Sequence, residues 1–432
     1  MTTIETEVVV VGSGPGGASA ARELVRAGKQ VTLLEWGSDS EWIGSHLSML
    51  PKIDLKYALP LGHAMMVRGI ATGGSSLIYC GTATRPAAFI KRQTGIDLGP
   101  LAEEFERELK IAPLPERLVG DAARRIMDAA NALGINWELL PKFIDPEKCV
   151  PDCGECMLGC RRGAKWSSRF FVREAQSLGL TLRSGWKADE VIHEQGRARG
   201  VRGRGPDGPF EVRAHRVLVS AGGLGTPIIL KRSGIEQAGR GFFSDPLVFT
   251  YGVREGQQKG SIYDVPMTAG TWQFHASEGF MLTDLAETWL LMLSSLGLKF
   301  RADQIFNPGK TLGVMTKVKD PISGTIDADG ELKKEIEPVV KQRLALGDQR
   351  AREILLKAGV KKSSLWTAPV KAAHPGGSAP IGKVVDQNLE TQIKGCYVAD
   401  SSVVPDELGT PVVLLALCLG KYAAGKMIST WN

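Results

Sequence analysis

The chain has 432 residues, of which 43% are hydrophobic and 23% are charged. This composition excludes wholesale disorder and suffices for a substantial core, in one large domain or about two to three interleaved ones. The formal net charge of +6 is small and spread along the chain, so it does not indicate nucleic-acid binding, and 51 glycines without a repeating period exclude collagen.

No stretch of the sequence reaches the roughly 18 uncharged apolar residues of a membrane span. The first residues, MTTIETE, lack the basic-then-apolar order of a signal peptide. The sequence therefore predicts a soluble, cytoplasmic protein and leaves a peripheral membrane contact open. We expect no nucleic-acid partner, and a homo-oligomer is compatible with the sequence.

The first motif is a glycine-rich turn between a predicted strand and a predicted helix. Residues 7–11 read EVVVV, which is typical of a short buried strand, and a helical stretch follows Gly12, Gly14 and Gly17. A second predicted strand ends at Glu35, whose carboxylate can accept both hydroxyls of a ribose. In such a fingerprint the first glycine permits the tight turn, the second lets backbone approach a pyrophosphate and the third lets helix and strand pack closely. The motif predicts dinucleotide binding, with a plain βαβ unit as the structural alternative.

Four later segments carry further signals. RGIATGGSSLIYCGTATRP, at 68–86, contains a glycine loop that exposes its backbone. VLVSAGGLG, at 217–225, reads as a strand that ends in small residues before a helix, and HPGGSAPIG follows at 374–382. GCYVADSSVVPDELGTPVVLLAL, at 395–417, reads as a strand, an acid and a final helix.

In this order the four segments resemble those of the glucose–methanol–choline (GMC) flavin oxidoreductases. The resemblance runs from residue 7 to about residue 428 and is faint between 246 and 372. It implies FAD as the cofactor and an α/β fold, with a Rossmann-like FAD-binding domain and an α+β substrate domain built on an antiparallel sheet. The implied boundaries are FAD-binding parts at 1–98, 173–245 and 373–432, a helical linker at 99–140, a cysteine-rich insertion at 141–172 and the substrate domain at 246–372.

The resemblance also implies which residues contact the cofactor. The fingerprint glycines and Glu35 are expected to hold the ADP half. Val191 is expected to touch the adenine. Asp400 is expected beside the ribityl–pyrophosphate region on the helix that closes the domain, with a helix cap as its structural alternative. Near the pyrophosphate or the isoalloxazine, the implied contacts are Gly73, Gly74 and Ser75, together with Thr410 and Pro411 where the last helix opens.

GMC enzymes oxidise a CH–OH group while a base removes the hydroxyl proton, and a histidine suits this because its pKa lies near 7. His374 heads the HPGG element, where the family has that base; a structural histidine before Pro375 is the alternative. The family normally has a second His or Asn near the start of the last helix. This sequence has Leu408-Gly409-Thr410-Pro411 there, so the second group is Thr410, or it comes from elsewhere, or the substrate differs.

Four of the seven cysteines lie within twelve residues: Cys149, Cys153, Cys156 and Cys160. An odd cysteine count in an apparently cytosolic chain argues against a disulfide framework. A continuous run with spacings of three, two and three residues is closer to ferredoxin ligation than to paired zinc knuckles. One [4Fe–4S] cluster held by all four is the simplest interpretation, and a [3Fe–4S] cluster, zinc or no metal are the alternatives.

Together these features predict an FAD- and iron–sulfur-dependent dehydrogenase that oxidises a small-molecule alcohol. FAD takes two electrons as hydride, and the cluster passes them singly to a ferredoxin-like protein or a quinone. One alternative is a reductase of a C=C or C=O bond. Others are an electron-transfer subunit without its own substrate, and an ordinary oxidase with a zinc-held structural knob.

The remaining stretches carry weaker predictions. The apolar run at 282–300 is read as a core helix, with a substrate wall, a dimer contact or a membrane contact as alternatives. The DADG sequence at 327–330 is read as a turn between strands, and 333–358 as an amphipathic helix. Tyr79 and Cys80 are expected either to approach the flavin or the substrate, or simply to pack in the core. His193 and His215 are taken as structural or exposed, whereas His46, His63 and His275 are left unassigned.

Overall fold

The computed structural model describes residues 1–58, 65–255, 263–287 and 302–431. The α-helices are α1 Pro15–Arg26, α2 His46–Met49, α3 Leu55–Ala58, α4 Ala88–Thr94, α5 Gly99–Glu108, α6 Asp121–Ala132, α7 Arg169–Ser177, α8 Gly222–Arg232, α9 Ala302–Ile305, α10 Pro338–Lys357 and α11 Val413–Ser429. Short 3₁₀ turns occupy Leu50–Lys52, Gly74–Leu77, Glu116–Leu118, Cys156–Leu158, Pro308–Lys310, Lys362–Ser364 and Ser401–Val403.

The strands follow in chain order. They are β1 Thr2–Glu5, β2 Val8–Val11, β3 Val31–Glu35, β4 Met65–Met66, β5 Ala112–Pro113, β6 Glu138–Leu139, β7 Pro141–Lys142, β8 Thr181–Ser184, β9 Lys187–Glu194, β10 Arg197–Gly205, β11 Gly208–Arg213, β12 Arg216–Val219, β13 Pro246–Val253, β14 Ala269–Thr271, β15 Phe280–Asp284, β16 Thr311–Val318, β17 Thr325–Ile326, β18 Leu332–Lys333, β19 Trp366–Thr367, β20 Lys371–Ala372 and β21 Cys396–Val398.

A parallel sheet with the order β21-β12-β2-β3-β8 forms one layer of the molecule. Strand β2 is four valines, all buried, as expected for a strand covered on both faces. It pairs with β3 on one side, Val8 opposite Val31, and with β12 on the other, Val8 opposite Arg216. The predicted strand–glycine turn–helix–strand unit is therefore confirmed, and its sheet gathers strands from parts of the chain that lie far apart.

A second sheet, mostly antiparallel, has the order β4-β20-β13-β16-β15-β14-β6, with β19 beside β13. One face packs on α6 and α10; for example, a Cβ on Gly347 of α10 would lie 2.2 Å from Thr316 Cγ2. The other face carries Leu247, Phe249 and Met315, which pack with Ala373. The predicted α/β architecture with an additional antiparallel sheet is thus confirmed.

Smaller elements complete the described part of the chain. A four-stranded sheet, β1-β11-β10-β9, joins the first strand to the ribbon of 187–213, and β5-β7 and β17-β18 form two-stranded ribbons. The DADG sequence forms the predicted turn between β17 and β18, and the predicted amphipathic helix is α10. Among the described residues, no helix is both long and apolar enough to cross a membrane.

The structure corrects two of the sequence predictions, and some of the positions named above lie outside the described residues. Asp400 is not on the closing helix: it follows β21 and caps the short turn of Ser401–Val403, where its Oδ1 accepts a hydrogen bond from Ser402 N at 2.8 Å. The apolar run at 282–300 begins in β15, not in a helix, and its residues 288–300 lie outside the described part. His63 lies outside it as well.

Candidate active site

A cavity of about 570 Å³ opens at the carboxyl ends of the parallel strands. Gly12 follows β2, Glu35 ends β3, Ser220 follows β12 and Asp400 follows β21, and all four line it. Open α/β sheets bind their ligands at this edge, because the loops after the strands leave a crevice there. The volume lies in the range of small-molecule and cofactor sites.

The glycine turn has the geometry that its sequence predicts. Gly12 has φ +97°, and a Cβ on it would lie 2.3 Å from the Ser220 carbonyl oxygen. A Cβ on Gly17 would lie 2.0 Å from the Gly12 carbonyl oxygen, so helix α1 approaches the turn only because both residues lack a side chain. A Cβ on Gly14 would meet nothing within 4 Å, since Gly14 faces the open cavity.

Glu35 lines the cavity but is almost completely buried. Its Oε2 accepts hydrogen bonds from the backbone and the hydroxyl of Ser13, at 3.1 and 2.5 Å, and its Oε1 accepts one from Gly37 N at 2.7 Å. Burial raises the pKa of Glu35, against the effect of these hydrogen bonds. The carboxylate thus also fixes the glycine turn, a role that the sequence analysis did not assign to it.

The GGS loop lies against the first turn. Gly73 and Gly74 have φ of +104° and +53°, and Gly73 N donates a hydrogen bond to Ser13 Oγ at 2.9 Å. A Cβ on Gly74 would lie 3.2 Å from Gly14 Cα. Ser75 lines the cavity, and its Oγ accepts a hydrogen bond from Gly69 N at 3.1 Å. The structure therefore brings the two predicted glycine segments together.

Three helices point their N-termini at the cavity. Pro15 begins α1, Gly222 begins α8 and Val413 begins α11, and all three line it. Free N–H groups and the helix dipoles make such ends favourable for phosphate and other negative charge. Asp400 caps the N-terminus of α8, since its Oδ2 accepts hydrogen bonds from Gly222 N at 2.8 Å and Thr226 Oγ1 at 2.5 Å.

One end of the cavity is aromatic and basic. Trp36 lies there with the Lys187 ammonium 4.2 Å from its ring centre, and Trp186 and Ala188 continue the wall. Val191 is not among the residues that line this cavity in the described part of the chain; it is buried, and its N donates to Ser233 Oγ at 2.8 Å. The adenine contact expected of Val191 therefore stays a prediction, and the same strand reaches the cavity wall at Lys187 and Ala188.

His374 lies in the cavity wall, with a side chain that is 25% exposed. Its Nδ1 is in close contact with Nζ of Lys317 and lies 3.7 Å from Oδ2 of Asp245. Lys317 Nζ is itself 3.3 Å from that carboxylate oxygen. Burial, followed by the positive charge of Lys317, lowers the pKa of His374, which favours a neutral ring.

The segment before the last helix is hydrogen-bonded to Asp245 and His374. Asp245 Oδ1 accepts a hydrogen bond from Gly409 N at 3.0 Å, and the Thr410 backbone is hydrogen-bonded to His374. Thr410 and Pro411 are buried, and in the described part of the chain neither lines the cavity, whereas Val412 does. Thr410 thus contacts His374 through its backbone.

Sequence reasoning missed Lys317 and Asp245. The signal for Lys317 was present, because it is the charged residue in an otherwise uncharged and fully buried strand, TLGVMTKV. Its register partners Leu247 and Met281 are apolar. Asp245 precedes β13 with φ +46°, a conformation that Asp tolerates better than most residues.

The four clustered cysteines form a compact loop of turns. Cys149, Cys156 and Cys160 are buried with Leu114 and other apolar side chains, and Cys153 is half-buried beside them. Burial raises the pKa of Cys149 to about 11 and that of Cys156 to about 12. Among the residues that the structure describes, no three Cys, His, Asp or Glu side chains are grouped so as to hold a metal ion. The predicted cluster is therefore not confirmed and stays a prediction.

Two buried lysines lie beside these thiols. Lys142 Nζ donates hydrogen bonds to the carbonyls of Cys80 and Pro266, each at 2.8 Å, and Lys165 Nζ donates to the Leu77 carbonyl at 2.9 Å. Within the described ranges neither ammonium forms an ion pair with a carboxylate. Burial lowers the pKa of Lys165 to about 8, against the charges of nearby thiolates. Two buried lysines thus lie near the cysteines, in a loop that also holds the buried carboxylate of Glu155.

The cavity fits FAD. Gly14 leaves open space where a Cβ would stand, so the backbone of this turn is accessible to a pyrophosphate. The N-termini of α1 and α11 suit its negative charge, whereas that of α8 is already capped by Asp400, and the aromatic end suits an adenine. His374 lies at a wall of the same cavity, where a second substrate can meet the flavin ring.

Comparison with known proteins agrees with this fit. The GMC oxidoreductase family model matches residues 8–247. An uncharacterised GMC-type oxidoreductase of Mycobacterium tuberculosis is 28% identical over 96% of this chain and 74% of its own length, and a long-chain-alcohol oxidase of Arabidopsis thaliana is 25% identical over 96% and 68%. The solved structure of an Aspergillus oryzae formate oxidase superposes with a TM-score of 0.76, at 15% identity over 99% of both chains. The chain therefore belongs to the GMC oxidoreductase family and is an FAD-dependent oxidoreductase.

Proposed function

We propose that the protein oxidises the CH–OH group of a small-molecule alcohol, with His374 as the group that takes the hydroxyl proton. One observation carries the proposal: His374 lies in the cavity wall, and burial, followed by the charge of Lys317, lowers its pKa and favours the neutral ring. A neutral imidazole accepts a proton near neutral pH.

The residues of this chain divide the work. When bound, FAD supplies the acceptor for the hydride. The glycine turn at Gly12 and the loop at Ser75 would hold its phosphates, and the N-terminus of α11 would offer positive potential to it. His374 would accept the hydroxyl proton at a ring nitrogen as the substrate carbon gives up its hydride.

We propose a largely apolar alcohol as the substrate. The described wall of the cavity includes the apolar side chains of Met66, Ile70, Leu224 and Val412. Apolar walls favour an apolar substrate by desolvation. The alcohol oxidised by a relative named long-chain-alcohol oxidase supports the same class.

Anaerobic titration with alcohols tests the proposed reaction. We expect primary alcohols with longer alkyl chains to bleach the flavin absorbance of the purified protein at lower concentrations than ethanol does, because each buried CH₂ contributes about 0.8 kcal/mol. The chemically reduced protein should be offered carbonyl and alkene compounds in parallel. Reoxidation by those compounds, without bleaching by any alcohol, would contradict the proposal and support the reductase.

The electron acceptor is a separate proposal. The cysteine spacing and the buried position of three of the four thiols support a [4Fe–4S] cluster that passes electrons to a ferredoxin-like protein or a quinone. The side chains of the described loop are not arranged as a ligand set, which weighs against it, and we derive no electron-transfer step through a cluster. A [3Fe–4S] cluster and zinc are the alternatives for the same four residues.

Metal analysis after anaerobic purification decides between these alternatives. A [4Fe–4S] protein should contain about four irons and matching acid-labile sulfide per chain, and Cys156→Ala should lose them. Cys418→Ala, which removes a buried thiol of α11 outside the loop, is the matched control and should keep the metal. One zinc per chain would identify the structural alternative, and a metal-free yellow protein would refute both.

A further inference from the structure

Lys317 combines deep burial with two unlike partners. Its side chain is 1% exposed, on a strand face where its register partners Leu247 and Met281 are apolar. Its Nζ contacts Nδ1 of His374 and lies 3.3 Å from Asp245 Oδ2. Burial of an ammonium costs free energy unless the charge is paired or hydrogen-bonded. The inference that follows rests on the proposed role of His374.

The contact restricts the protonation of the histidine ring. An ammonium has three donors and no acceptor, so a charged Lys317 makes Nδ1 of His374 an acceptor. The neutral ring then carries its hydrogen on Nε2, from which it can donate to a substrate oxygen but cannot take a proton. A ring that accepts a proton at Nε2 must instead carry its hydrogen on Nδ1 and donate it to a neutral Lys317 amine.

We propose that Lys317 is a positioning residue that receives, through His374, the proton of the substrate hydroxyl. The O–H bond of the alcohol breaks as an N–H bond forms at Nε2. At the same time the N–H bond at Nδ1 breaks and one forms at Nζ of Lys317. The ring is neutral before and after the transfer, and the new ammonium lies beside the carboxylate of Asp245. One proton leaves the substrate and one is gained by the amine, so the transfer balances.

The surroundings favour this transfer over a charged ring. Burial lowers the pKa of Lys317, which brings its neutral amine within reach, and an imidazolium next to an ammonium would be repelled. Asp245 favours the ammonium in the product state. In the described part of the chain, the other polar or titratable groups around the pair and Asp245 include the backbones of Gly409 and Thr410, Cys80, His275, Lys319 and Asp320.

Nitrogen-15 NMR of histidine-labelled, FAD-loaded protein tests the assignment without any substrate. At a pH below the acid limb of flavin reduction, where Lys317 is charged, the His374 signals, identified by their absence in His374→Asn, should show the proton on Nε2. Above the acid limb, where the amine is neutral, they should show it on Nδ1. In Lys317→Met the proton should stay on Nδ1, which faces Asp245 at 3.7 Å, across this range. A wild-type ring whose proton stays on the same nitrogen on both sides of the acid limb would overturn the proposal, whatever the activity.

The pH dependence of flavin reduction provides the second test. Arginine keeps a cation beside Asp245 but cannot become a neutral amine, so Lys317→Arg should lower the rate about 100-fold or more at every pH. Lys317→Met leaves the imidazole as the base, and the acid limb of kcat/KM should move down by about one pH unit or more, because an amine is more basic than an imidazole. A merely structural role predicts the opposite rank, with arginine the better replacement. If the arginine variant does not fold, the methionine variant decides alone.

Lys334→Met is the matched control. Lys334 is also a buried lysine with a buried carboxylate, its Nζ 3.3 Å from Asp320 Oδ1, but it does not contact His374. We expect a loss of stability with an unchanged acid limb. A wild-type protein that no alcohol reduces would count against the proposed function, whereas an acid limb that stays in place in Lys317→Met, or an arginine variant with the wild-type rate, would overturn the role of Lys317.

Discussion

Replacement of His374 by asparagine is expected to lower kcat by about 10²- to 10⁴-fold, while FAD stays bound. Asparagine keeps a polar group of similar reach but cannot take up a proton near neutral pH. The walls that would hold the phosphates are formed by other segments, at Gly12 and Ser75, and the substitution does not touch them. The rate of anaerobic flavin reduction by a saturating alcohol measures the effect, and the FAD content per chain shows that the cofactor is retained.

His215→Asn is the control for this experiment. His215 is exposed in the link between β11 and β12 and should have no effect on the rate. A His374→Asn variant that reduces its flavin within a few-fold of the wild-type rate would refute the proposed base. A variant that loses FAD would instead indicate that the ring supports the cavity.

Substitution of Gly17 by alanine is expected to destabilise the protein by about 3 kcal/mol or more and to abolish stable FAD retention. The new Cβ would lie 2.0 Å from the Gly12 carbonyl oxygen and 3.2 Å from Ser220 Cβ. Both neighbours belong to buried segments, so helix α1 must move away from the turn that it closes. Denaturant unfolding of the FAD-free protein measures the loss.

Gly14→Ala separates the fold from the cofactor. Gly14 has φ −62° and open space at its Cβ position, so alanine fits the FAD-free protein. We expect its unfolding free energy to change by less than about 1 kcal/mol, and its affinity for FAD to fall about tenfold or more, which is about 1.4 kcal/mol. Equal effects of the two substitutions on the FAD-free protein would contradict this division of roles.

The glycine turn could be predicted from the sequence because its requirements are local. The positive φ of Gly12 and the close approach at Gly17 are fixed within one strand–turn–helix unit. Family resemblance added His374, whose presence in the cavity wall agrees with the geometry. The adenine contact of Val191 stays a prediction, since strand β9 reaches the cavity wall where it begins, at Lys187 and Ala188.

The Lys317–Asp245 pair could not be predicted, because it depends on packing between elements far apart in the chain. Lys317 meets His374 only through the register of β16 with β13 and the pairing of β20 with β13. Asp245 reaches both partners through a left-handed backbone conformation that no local pattern requires. The four cysteines show a different limit of sequence analysis. Their spacing is a strong signal, but it does not by itself determine how the four side chains are arranged.

The parallel sheet has a consequence for how the protein is made. Its edge strand β21 and the helix α11 that packs on α1 come from residues 396–429, whereas the glycine turn comes from residues 12–17. A Cβ on Gly420 of α11 would lie 2.1 Å from the Gly16 carbonyl oxygen, so the two helices close directly on each other. During translation the first βαβ unit therefore emerges from the ribosome long before its partners, with its valine strand uncovered on one edge. Burial of that edge must wait for β12, and helix α1 can be covered only after α11 has been made.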